Sequence, residues 1–142
     1  MYKVVLNRCY GGFRLSPKAE KLYWERKLGK EVFAYEFNYE KSNYRKVKDI
    51  EKARNWSVYF TTKDLGDVAE GFPLNERFCI HDILRHDPVL VNIVESLKDE
   101  ANGEYAKLVV AEINTPMYRI EDYDGMESIQ TPDSVDWIVI EK

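Results

Sequence analysis

Apolar positions along this chain follow two rhythms, one of two residues and one of three to four. Residues 2–7 (YKVVLN) form a short apolar run of the kind a strand covered on both faces needs. In residues 31–39 (EVFAYEFNY), Phe33, Tyr35, Phe37 and Tyr39 alternate with Ala34, Glu36 and Asn38, which is a strand's period. Residues 56–62 (WSVYFTT) add a strand by their aromatic and β-branched content, 77–80 a short one, and 107–113 (KLVVAEI) one that reads as central. A turn at 114–116 leads into a returning strand over 117–121, Asp124-Gly125 signals a further turn, and 135–140 (VDWIVI) closes the sheet.

The helical rhythm occurs twice. Ser16 is a natural N-cap with Pro17 at the first helical position, and Ala19, Leu22, Tyr23 and Arg26 share one face. Gly29 suits the C-cap, so the pattern predicts a helix over 17–28. Asp87 and Pro88 open the second helix, Leu90, Ile93, Val94 and Leu97 form its apolar stripe, and Asn102-Gly103 ends it, giving 88–101. Residues 41–54 are basic and polar and read as an exposed loop with room for a helical turn, and 64–75, with Gly66, Gly71 and Pro73, as a loop. Two helices and about six strands without strict βαβ alternation predict a single α+β domain over 1–142, with a mostly antiparallel or mixed sheet.

Composition narrows the class. The 142 residues are 44% apolar and 13% aromatic, which suffices for one core and argues against disorder. No charge-free run has a membrane helix's length, no charged start leads into an apolar h-region, so no secretory leader is expected, and Cys9 and Cys79 fit neither a disulfide framework nor a metal-binding spacing. A cytoplasmic protein with no membrane partner is expected. The net charge of −4 hides an asymmetry: residues 1–54 carry fourteen basic and seven acidic side chains, 55–142 seven and eighteen. Thirteen of the nineteen aromatics fall within the first 60 residues. Opposed halves would permit head-to-tail self-association, so a homo-oligomer is one expected assembly; a solubilising surface is the plainer use of the same charges.

Candidate chemistry concentrates in the turn Arg8-Cys9-Tyr10-Gly11-Gly12-Phe13. A strand, paired glycines and a helix start form the arrangement that presents backbone N–H groups to an anion. Arg8 and Arg14 would add charge, and Tyr10 and Phe13 would stack on a ring. No Walker lysine follows, and the spaced glycines of a dinucleotide fingerprint are missing. A strand-to-helix turn with Phe13 plugging the core accounts for the same residues without a ligand. Cys9 beside Arg8 would need a positioned base to act as a nucleophile; as a structural cysteine it needs none.

In His81-Asp82-Ile83-Leu84-Arg85-His86-Asp87-Pro88, two histidines and two aspartates invite a metal or acid–base reading. The zinc-helix pattern is absent and Asp87 already serves as a cap, so no metal site is assigned. Arg85 suits two phosphate oxygens, with His86 beside it as a further ligand contact. The aromatic strand 31–39 with the basic stretch 41–54 resembles a base-stacking platform with phosphate contacts. The plainer account makes Phe33 and Phe37 core and leaves Tyr35 and Tyr39 at the rim with their hydroxyls in water. Glu121-Asp122-Tyr123-Asp124-Gly125-Met126-Glu127 is dense in carboxylates but is not a calcium loop.

Several of these stretches together resemble a family of small proteins of bacteriophages and prophages. The resemblance is carried by Asn7-Arg8-Cys9-Tyr10-Gly11-Gly12-Phe13-Arg14-Leu15-Ser16, by Arg85-His86-Asp87-Pro88, by Ala101-Asn102-Gly103 with Ala106-Lys107-Leu108, and by Tyr123-Asp124-Gly125-Met126-Glu127. Residues 30–75 take no part, and the ending Val135-Asp136-Trp137-Ile138 departs from the family's longer tails. The resemblance implies a phage-encoded accessory protein made in the bacterial cytoplasm, not a shell protein, and it implies no catalytic residues.

Such a protein is expected to act by binding. The leading expectation is a non-enzymatic module for a phosphate-bearing, nucleotide-type signal that counters host defence, held by Arg8, Tyr10, Gly11, Gly12, Phe13, Arg14, Arg85 and His86. The alternatives are an inhibitor of a host protein acting through the acidic C-terminal half, and a nucleotide-processing enzyme using His81, Asp82 and His86. No motif calls for a cofactor or a metal.

Overall fold

A computed structural model describes residues 1–54, 57–73, 78–134 and 140. In chain order its regular elements are β1 (Tyr2–Asn7), α1 (Pro17–Leu28), β2 (Phe33–Asn38), β3 (Asn43–Lys46), β4 (Val58–Thr61), β5 (Val68–Ala69), α2 (Pro88–Leu97), β6 (Leu108–Ile113), β7 (Arg119–Tyr123) and β8 (Met126–Gln130). Tight 3-10 turns cover Ile50–Lys52, Ile80–Asp82, Lys98–Ala101 and Pro132–Ser134. The class is α+β and every strand pairing among the described residues is antiparallel.

Val4, Val5 and Leu6 are apolar on both faces of β1 because that part of the strand is a middle layer. It pairs with β6, and its alternation sends Val5 towards the helices, where Leu15, Ala19, Tyr23, Leu90, Ile93 and Val94 form the main core. Val4 and Leu6 face the other way, onto Ile113 and the β7–β8 hairpin residues Ile120 and Ile129. Both helices start where the caps predict: Ser16 Oγ accepts from Ala19 N at 3.1 Å, and Asp87 Oδ1 from Val89 N at 2.9 Å. The second cap also locks the helices together, since the Tyr23 hydroxyl donates to Asp87 at 2.8 Å and Lys27 Nζ lies 3.0 Å from it. Burial alone would raise the Asp87 carboxyl, but Tyr23, Lys27 and the Val89 N–H hold it below its ordinary range. α1 has the expected bounds, whereas α2 stops at Leu97: Lys98 takes a left-handed φ of 54°, and Lys98–Ala101 tightens to 3-10 geometry.

The strands do not form one sheet of about six. They divide into β1–β6, the four-stranded order β4-β2-β3-β5, and the β7–β8 hairpin. β3 lies in the stretch expected to be a loop, and β5 within 64–75. β3 holds because Tyr44 pairs across from Phe37 and Lys46 from Tyr35, so its stabilising partners lie on another strand. The expected strand over 77–80 is replaced, in its described part, by coil and the turn Ile80–Asp82. The expected returning strand appears as β7 but pairs with β8, not β6. Of the expected strand 135–140, residues 135–139 lie outside the described residues and Ile140 is not in a strand.

One face of the four-stranded sheet packs through Val32, Ala34 and Phe60 onto Trp24 and Phe78. The other carries linked rings: Phe37–Tyr44 at 5.0 Å between centroids, Tyr44–Phe72 at 5.1 Å and Tyr35–Phe72 at 5.9 Å. Here the expected roles exchange. Tyr35 is fully buried, because its hydroxyl donates to Gly66 O at 2.8 Å and accepts from Leu65 N at 2.9 Å, while Phe37 is half-buried. A satisfied hydroxyl removes the reason to stay in water. Tyr39 is exposed as expected.

The basic and acidic halves interleave. Lys3–Glu95 (2.8 Å), Lys18–Glu100 (3.7 Å), Lys27–Asp87 (3.0 Å), Lys46–Asp64 (2.6 Å) and Arg54–Glu104 (4.0 Å) each join a cation of residues 1–54 to a carboxylate beyond them. Five cations of the first half thus meet carboxylates of the second within one chain, which lessens the polarity that suggested head-to-tail association. No helix among the described residues is long and apolar enough to cross a membrane.

Glu20 sits in the first turn of α1 yet is buried, which pushes its carboxyl up to about 7, with the charge of Arg14 opposing. A carboxyl raised on folding adds stability below its unfolded value near 4.5 and loses it as pH rises towards about 7. Glu20→Gln should therefore gain stability on the wild type, by at most about 3 kcal/mol, between those limits. Urea unfolding of both proteins at pH 4.5–8 checks this; a constant difference would refute it.

Candidate functional site

Residues from three separate stretches, 7–13, Arg85 and 125–127, meet around one carboxylate. Glu127, in β8, is 3% exposed. Its Oε1 accepts from Asn7 N at 2.8 Å and from Arg85 Nη1 at 2.5 Å, and its Oε2 from Arg85 Nη2 at 2.7 Å. The Arg85 guanidinium lies 3.6 Å from the centre of the Phe13 ring, and Arg8 Nη1 donates to Glu127 O at 2.6 Å. Asn7 is fully buried: its side chain donates to Cys9 O and Gly125 O, both at 2.7 Å, and accepts from Lys107 N at 2.9 Å. Val5 N donates to Arg85 O at 2.8 Å. β1 therefore has a strand on one side and, on the other, Arg85 and Glu127 completing its hydrogen bonds.

Above this knot three loops touch through their backbones. A Cβ on Gly125 would lie 2.4 Å from Gly12 N and 2.6 Å from Gly11 N; one on Gly11 would lie 2.3 Å from Tyr105 O. Tyr105 and Asp124 take left-handed φ values of 61° and 53°, unusual for residues with side chains. A shallow cavity of about 360 Å³ is lined by Tyr10, Gly11, Gly12, Asp124 and Gly125. Tyr10, Tyr105 and Tyr123, one from each loop, are 58%, 77% and 77% exposed, and the rings of Tyr10 and Tyr123 meet edge-on at 6.5 Å.

The expected ligand residues thus separate. Tyr10, Gly11 and Gly12 line the cradle, while Arg8, Arg14 and Arg85 do not. The fork of Arg85, expected on a phosphate, is on Glu127, and Phe13, expected to stack on a base, lies against Arg85. Arg14 packs beside Gly103, where a Cβ would come within 2.8 Å of its side chain. His86 leaves this region: its Nδ1 is 2.7 Å from the Tyr118 hydroxyl, beside a separate cavity of about 240 Å³. His81 and Asp82 are exposed on the Ile80–Asp82 turn. Among the described residues no three His, Cys, Asp or Glu side chains form a metal-binding group. Sequence reasoning missed Asn7 and Glu127 as partners, because they lie 120 residues apart in the chain. It also missed Tyr105, and Tyr123 and Gly125, whose signal was the Asp124-Gly125 turn.

Breaking a buried ion pair strands a charge, so Glu127→Ala should cost about 3–5 kcal/mol, and Arg85→Ala combined with it should cost clearly less than the two single changes summed. Denaturant unfolding of the three variants measures the coupling; strict additivity would contradict it. Two glycines with left-handed φ separate strain from collision. Gly12→Ala, with open space around it, should lose about 1 kcal/mol, and Gly125→Ala, which meets backbone, more than about 2. Thermal melts rank them, and equal losses would sink the close-approach argument.

No protein-family model matches this chain, and neither a curated protein nor a solved structure matches it.

Proposed function

We propose that this protein works by binding and that its working surface is the tyrosine-rimmed cradle, which takes a basic surface of a partner protein. The observation that carries the reading is the set Tyr10, Tyr105 and Tyr123: three exposed tyrosines on three loops whose backbones are in contact. Tyrosine on a rigid loop contributes large contact area at low entropic cost, which is why it dominates protein recognition surfaces. Asp124 lines the cradle, and Glu121 and Asp122 are exposed on the same hairpin as Tyr123, with Glu121 3.9 Å from Arg119, so the complementary surface is cationic. An accessory protein of the phage family it resembles would use such a surface to occupy a factor of its bacterial host.

A phosphate-bearing ligand in the cradle is the weaker reading, because the three arginines meant to clamp it do not line that cavity. The test is capture from bacterial lysate on immobilised wild type and on a Tyr10→Ser/Tyr123→Ser variant, whose fold is checked by circular dichroism. A partner retained at about 0.1 M salt should weaken at about 0.5 M. The variant should lose about 2 kcal/mol per tyrosine, roughly 30-fold each in Kd. Equal retention by both proteins would overturn the proposal.

A further inference from the structure

A second cavity, about 590 Å³, opens behind Tyr105. Its walls come from three places: the first turn of α1, the Ile50–Lys52 turn continuing to Arg54, and residues 99–105. Each of the first two walls brings cations, namely Lys18 from α1 and Lys52 with Arg54 from the other. Lys18 Nζ lies 3.0 Å from Glu51 and 3.7 Å from Glu100, Arg54 Nε 4.0 Å from Glu104, and Lys52 Nζ 3.9 Å from Asp49. Glu51, Glu100 and Asp49 are well exposed, Glu104 is half-buried, and Lys52 is almost wholly in water. Pairs of that kind are worth about 0–1 kcal/mol each, so an anion that bonds several of the cations at once replaces them at little cost.

Asp99 lines the cleft as well, so four carboxylates (Glu51, Asp99, Glu100 and Glu104) stand among its three cations, and the ligand must offer hydroxyl donors as well as an anion. The twelve-residue helix α1 turns its N-terminal end, the positive end of its dipole, towards the same space. Tyr105 supplies an exposed aromatic ring on the wall nearest Gly11. Once Lys18 bonds an anion, Glu51 and Glu100 become acceptors for hydroxyl groups. Phosphate for the cations, a ring for Tyr105 and a sugar for the carboxylates together describe a nucleotide, and the volume lies in the range of small-molecule sites.

We propose that this cleft binds a nucleoside monophosphate, its phosphate on Lys18, Lys52 and Arg54 and its base against Tyr105. The cleft is a different cavity from the cradle, since Tyr10 and Tyr123 do not line it, although Tyr105 belongs to both surfaces.

Isothermal titration with adenosine, guanosine and uridine 5′-monophosphates, alongside inorganic phosphate and free adenosine, tests it. At least one nucleotide should bind the wild type tenfold or more tightly than phosphate or adenosine alone. A Lys52→Ala/Arg54→Ala variant, changed only at exposed side chains, should bind that nucleotide at least tenfold more weakly with unaltered circular dichroism. The Tyr10→Ser/Tyr123→Ser variant should bind it as the wild type does. No heat with any of the three nucleotides, phosphate binding as tightly as a nucleotide, or undiminished binding by the lysine–arginine variant would each overturn the assignment.

Discussion

The buried carboxylate of Glu127 is the constraint on which the rest of the architecture depends. A charge removed from water is tolerable only with a partner in good geometry, and Arg85 provides a two-pronged one, with Asn7 N–H as a third donor. Those bonds tie β1, the segment before α2 and the β7–β8 hairpin into one arrangement. They also close the side of β1 that no strand covers. A pair of this kind adds little net energy compared with an apolar replacement, but it allows only one placement of the hairpin.

That placement explains the strain above it. Gly125 is pressed onto Gly11 and Gly12, and Tyr105 onto Gly11, while Tyr105 and Asp124 hold left-handed backbones. Unfavourable torsions persist where the surroundings over-determine them. The result is a patch of exposed rings on loops with little freedom to rearrange, which lowers the entropy lost on binding. Tyr105 faces both this patch and the cleft at the start of α1, so the two candidate surfaces share a wall.

Features written in neighbouring residues were legible in the sequence. Ser16-Pro17 and Asp87-Pro88 start helices where expected, Gly29 ends one, and the period of two marks β2. Features set by distant partners were not. β3 looked like a loop because the residues it pairs with lie on β2 and β5. Tyr35 looked like a rim residue because the groups that satisfy its hydroxyl, Leu65 and Gly66, are thirty residues away. Arg85 looked free for phosphate because Glu127 is 42 residues downstream.

Charge shows the same division. The sum of the halves is a property of the chain, but β1 inserts between β6 and the hairpin, α1 packs on α2, and cations of the first half meet carboxylates of the second. By itself the sequence determined the helices, the α+β class and which residues carry polar chemistry, because caps and periodicity act over one or two turns of chain. Tertiary structure alone decided which of those polar groups neutralise one another and which are left facing water, because charge pairing and burial depend on distance in space.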